Sequence, residues 1–196
     1  EILVINKHIT LDGNGKTLTS TAGRAINVSG VAEATIKNLT INASGERAIN
    51  IIQNATNVTI DNVKATASNY TINVAGSATN AVVTVKNSVL NGLCTVNVAG
   101  IGADVTVVDS TINCSDNNTT LGESYAAVSL NKDAIGGKII VTGSTINVAA
   151  GSDSIIGRNG AKDGIVTING STEGVTITVA VITYANSDYY YGFAIL

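Results

Sequence analysis

The sequence predicts an all-β fold: a single-stranded right-handed parallel β-helix with three sheets and about seven to eight coils. Three observations predict it. The segments RAINVSGVAEATIKNLTINAS, RAINIIQNATNVTIDNVKATAS and YTINVAGSATNAVVTVKNSVLNG superimpose, and each turns at an Asn, at positions 38, 62 and 87. The resulting intervals of 24 and 25 residues match one coil of a three-sided solenoid. Composition agrees: Pro, Met and Trp are absent, Gly numbers 20, and Asn, Thr, Val and Ile dominate. β-Branched residues suit pleated strands, and Asn and Gly tolerate the left-handed bends between them. No helical period is sustained anywhere.

Taken in order, the elements fall into columns. The central strands are ITLDG (9–13), ATIKN (34–38), VTIDN (58–62), VTVKN (83–87), VTVVD (105–109), IVTG (140–143) and VTING (166–170). Alternation turns Ala34, Val58, Val83 and Val105 inward with Ile36, Ile60, Val85 and Val107. Thr10, Thr35, Thr59, Thr84, Thr106 and Thr167 then face outward, with Ile140 the exception. Asp12, Lys37, Asp61 and Lys86 form the next outward column, and their alternating signs act as a register device, since stacked like charges repel. A second column runs through Ile26-Asn27-Val28, Ile49-Asn50-Ile51, Ile72-Asn73-Val74, Val96-Asn97-Val98 and Val128-Ser129-Leu130. A third places Thr40/Asn42, Lys64/Thr66, Val89/Asn91, Thr111/Asn113 and Thr145/Asn147 outward against an aliphatic core. Between Asp109 and Gly143 the coil is longer by about ten residues, a polar loop over 115–124. The last strand signal is Val175–Tyr184, followed by a turn into an aromatic stretch at 189–193.

One domain spanning 1–196 follows from length and continuous repeat. At 4.8 Å per coil it would be roughly 35 Å long. Charged residues make up 13% and the net charge is −3, which leaves no electrostatic footprint for nucleic acid. No apolar run approaches the ~18 residues of a membrane span. The chain opens on an aliphatic strand without a signal-peptide pattern, and neither end shows a capping helix. We expect a module of a longer protein, or ends covered by loops, ions, or end-to-end contact with another copy.

The 24-residue coil, the Asn at a tight bend and the opening ITLDGNGKTL resemble the pectin-lyase-like superfamily of right-handed parallel β-helices, over Ile2 to about Thr183. The low-charge Asn/Thr-rich repeats are most similar to repeat modules of bacterial cell-surface proteins. The resemblance implies an extracellular or cell-surface location and a non-catalytic role as spacer, adhesion or glycan-contact surface, with a polysaccharide or host glycan as partner. The alternative it leaves open is a polysaccharide lyase or glycoside hydrolase with a non-standard site. The Arg-x-Pro-x-x-Arg signature of the lyases cannot exist without Pro, and the polygalacturonase motifs Asn-Thr-Asp, Asp-Asp, His-Gly and Arg-Ile-Lys are absent. The single His8 reads as structural.

Several groups remain as candidates. Asn27, Asn50, Asn73 and Asn97, facing away from the aliphatic residues, could hydrogen-bond a glycan, or simply one another. Asn38, Asn62 and Asn87 are expected to form a structural ladder with buried amides. Asp116, Asn118 and Glu123 in the inserted loop are the best Ca2+ candidates, because hard cations take oxygen ligands. No other cofactor is implied. Asp12-Gly13-Asn14-Gly15 reads as a turn rather than a calcium loop, which would need further acids. Arg24, Arg47 and Glu46 read as a charge cluster between coils. Cys94 and Cys114 fall within disulfide reach, and two buried thiols are an equal reading.

Overall fold

The computed structural model describes residues 1–31, 33–114, 126–131, 133–148, 153–157, 164–169, 176–180 and 191–193; at 148, 153–157, 165–169, 176–180 and 191–193 only the backbone is considered. The chain is an all-β parallel solenoid, with no helix among these residues. The first strand column comprises β1 (Leu3–Ile5), β4 (Arg24–Ser29), β6 (Arg47–Ile52), β8 (Tyr70–Val74), β11 (Cys94–Val98), β14 (Ala126–Leu130) and β17 (Asp153–Gly157). All are parallel in that order. The second column starts with β2 (Ile9–Asp12) and passes through the first halves of β5 (Glu33–Ala43) and β7 (Asn57–Ala67). It continues through β9 (Val82–Lys86), β12 (Asp104–Val108), β15 (Lys138–Thr142) and β18 (Ile165–Asn169). The third column is β3 (Thr17–Ser20), the second halves of β5 and β7, then β10 (Val89–Gly92), β13 (Thr111–Cys114) and β16 (Thr145–Val148).

Register follows the repeat. Asp12, Lys37, Asp61 and Lys86 are direct neighbours on adjacent strands, as are Thr10, Thr35, Thr59, Thr84, Thr106, Ile140 and Thr167. Inside, the stacked Ile36, Ile60 and Val85 meet Ile26, Ile49, Ile72 and Val96 across one continuous aliphatic core. Each of these side chains is fully buried, and at about 25 cal/mol per Å2 of apolar surface this core is the main stabilising term.

Three details differ from the expectation. Among the described residues there are three strand columns but two hydrogen-bonded sheets, of eight and 12 strands, because β5 and β7 run through the bend unbroken and join columns two and three. Among the described residues six coils hold all three columns and a seventh holds two, fewer than the seven to eight complete coils expected. The parallel stack stops there: β19 (Thr176–Ala180) and β20 (Tyr191–Phe193) pair antiparallel with β18 and β17.

Two features shape the bend between the second and third columns. Asn38, Asn62, Asn87, Asp109 and Gly143 occupy one position there, all left-handed, with φ of 51, 52, 51, 47 and 60°. Gly, Asn and Asp are the residues that enter this region most readily, which accounts for the recurrent Asn. From the fourth coil onward a Ser follows the bend residue. The N–H groups of Val63, Ser88 and Ser110 donate to the hydroxyls of Ser88, Ser110 and Ser144 one coil on, at 3.1, 3.0 and 3.0 Å. Each hydroxyl in turn donates to the carbonyl two residues earlier, on Lys86, Val108 and Thr142. A bend interrupts the ladder, and these Ser residues pair the N–H groups it would otherwise orphan.

Candidate functional site

The bend column borders a shallow groove of about 480 Å3 on the outer surface of the first four coils. Asn14, Asn38, Asn62 and Asn87 line it together with Thr40 and Lys64. Leu39, Val63 and Val89 supply its aliphatic part. Of these three, Val63 is buried while Val89 is 37% exposed, so the apolar strip opens toward the fourth coil.

The bend amides are partly engaged along the column. Asn62 Nδ2 donates to Asn38 Oδ1 at 2.9 Å, Asn38 Nδ2 to Asp12 Oδ1 at 3.1 Å, and Asn87 Nδ2 to Asp61 Oδ1 at 2.9 Å. The expectation of buried bend amides is not met, since Asn62 and Asn87 are exposed and Asn38 is half-buried. Their position is required by backbone conformation rather than by burial.

The two carboxylates beside the groove are committed elsewhere. Asp12 accepts the Asn14 N–H at 2.9 Å and pairs with Lys37 at 3.3 Å; Asp61 pairs with Lys86 at 3.3 Å. The Asn14 backbone hydrogen bond, helped by Asn38 and Lys37, lowers the Asp12 pKa. The Asn87 hydrogen bond, helped by Lys86 and more weakly by Lys37, lowers that of Asp61. Lys37 and Asp61 form no ion pair with each other, so the charged column resolves into two pairs rather than a continuous chain. The Asp12-Gly13-Asn14-Gly15 segment is a turn closed by its own carboxylate.

The Asn column of the first sheet is a different object. Asn50, Asn73 and Asn97 are 2–3% exposed, although they lie on the face opposite the stacked aliphatic residues. Asn50 donates to Asn27 at 2.9 Å, Asn73 to Asn50 at 2.7 Å and Asn97 to Asn73 at 2.7 Å. In the sixth coil Ser129 takes the column position, and Asn131 reaches back to Asn97 Oδ1 at 3.2 Å. A second surface ladder joins Asn147 to Asn113 and Asn113 to Asn91, each at 2.8 Å.

Asp116, Asn118 and Glu123 lie outside the described residues, and among those described no three His, Cys, Asp or Glu side chains gather as a metal site needs. Cys94 and Cys114 are both buried, and the Cys114 thiol donates to the Leu93 carbonyl at 2.9 Å. Arg24 and Arg47 stack in register with Glu46 between them, at 3.9 and 2.9 Å, and the Arg47 guanidinium lies 5.3 Å from the Tyr70 ring centroid. His8 is exposed and sits 3.7 Å from Glu33.

The groove combines signals that were visible separately: the recurrent bend Asn and the outward Lys64 and Val89. Missing was their convergence, because alternation assigns faces and says nothing about concavity. Comparison with protein-family models, curated proteins and solved structures finds no match to this chain.

Proposed function

We propose that this β-solenoid is a non-catalytic module of an extracellular or cell-surface protein, serving as a rigid spacer and glycan-contact surface. The observation that carries the reading is the chemistry of the groove: amides, a hydroxyl, one ammonium and an aliphatic strip, with no carboxylate in the lining. Glycoside hydrolysis works through a pair of carboxylates flanking the scissile bond. Here the nearest carboxylates, Asp12 and Asp61, are held as anions by hydrogen bonds and lysine partners. The regular, sparsely charged coils also favour a module of the kind found in bacterial surface proteins of the pectin-lyase-like superfamily.

A glycan array spanning neutral, acidic and branched structures, with product analysis on every hit, tests this. Retention of at least one glycan class with no shortened or unsaturated product is expected. Turnover of any bound glycan would replace the module reading with an enzyme, and an array without hits would leave only the spacer.

A further inference from the structure

We infer that the groove beside the left-handed bends binds a linear, neutral glycan strand running along the solenoid axis. This rests on the glycan-contact reading above and gives it a place, a direction and a ligand class. Four observations converge. Equivalent groups recur once per coil at Asn38, Asn62 and Asn87, so the surface repeats along the axis at about 4.8 Å and suits a repeating ligand. Among the described residues the Oδ1 atoms of Asn62 and Asn87 accept no hydrogen bond and the Lys64 ammonium makes no ion pair. Acceptors and donors together match hydroxyl groups, which are both. The aliphatic edge of Val89 offers an apolar contact to a sugar ring face.

Other polymers fit less well. An extended peptide would need a free backbone edge, and here the bend backbone is already paired: Gly15 N–H to Asn38 C=O at 2.8 Å and Asn87 N–H to Val108 C=O at 3.2 Å. Single-stranded nucleic acid would need stacking aromatics and a cationic track, and the lining has neither.

The test uses the full chain and neutral β1,4-linked glucose, mannose and xylose oligosaccharides, from disaccharide to hexasaccharide, measured by calorimetry. Asn62→Gly combined with Asn87→Gly removes the amides and keeps the left-handed backbone, so the fold is retained and a melting curve confirms it. Thr84→Ala, on the outward-facing, half-buried Thr column, is the control. Affinity for one series should rise with length and then level off. The double Gly variant should weaken binding by about tenfold, from two lost hydrogen bonds, while the control leaves it unchanged. Undiminished binding in the double variant would move the contact surface elsewhere and overturn this inference alone. No binding across the series would also overturn it, and the module reading would then stand or fall on acidic and branched hits in the array.

Discussion

Asn73 gives its amide N–H to Asn50 and accepts from Asn97, so Asn73→Ala leaves the Asn97 donor unpaired inside a closed column. A buried polar group without a partner costs about 1–3 kcal/mol, and urea denaturation should show a loss of that size. The same change at exposed Asn42 should fall within about 0.5 kcal/mol. At the bend the requirement is conformational instead. Asn62→Ala forces a Cβ-bearing residue with no local hydrogen bond into φ near 52° and should destabilise by about 1 kcal/mol, whereas Asn62→Gly should be close to neutral. Equal losses for the two would show that the amide, not the backbone, holds the bend. The recurrence of Asn in both columns was legible in the sequence, but which one is sealed was not. A period of two says that Asn50 faces away from Ile49 and Ile51; it carries no information about what screens that face.

Between elements, the paired charges set a pH dependence with a definite sign. Both Asp12 and Asp61 titrate below the ordinary carboxylate value in the folded chain. Their contribution is therefore complete above the unfolded pKa and is lost as pH falls through the folded one. The melting temperature should drop on acidification from about pH 6 to about pH 3, and Asp12→Asn with Asp61→Asn should flatten part of that drop. Both sites are open to solvent, so added salt should shrink the difference as well. An unchanged acid limb in the double variant would remove these pairs from the account. Strand pairing itself was readable, since the Asp/Lys and Thr columns fall where the repeat puts them. The Ser88–Ser110–Ser144 staircase was not, because a Ser after a bend looks like any polar turn residue until the orphaned N–H groups beside it are seen. The antiparallel reversal at β19 and β20 escaped for a related reason: an alternating strand reads the same in either direction.

At the scale of the whole molecule, the outer edges of β1, β2 and β3 in the first coil have no partner strand among the described residues, and Ile2, Leu3, Val4 and Ile9 beside them are exposed. Open parallel edges flanked by apolar residues template further strands. The isolated chain should therefore self-associate with rising concentration, and Leu3→Lys with Ile9→Lys should shift sedimentation toward the monomer. Monomers at every concentration would show that this edge is not adhesive. If the bend groove holds glycan, the bend amides meet ligand while the amides of the first sheet stay closed off. Side-chain amide NMR during titration with a neutral β1,4-linked hexasaccharide that the chain retains tests it most directly. The Asn14, Asn62 and Asn87 resonances should move with ligand, and those of Asn50, Asn73 and Asn97 should stay fixed and slow to exchange. Shifts confined to Asn50, Asn73 and Asn97, with the bend amides silent, would contradict it.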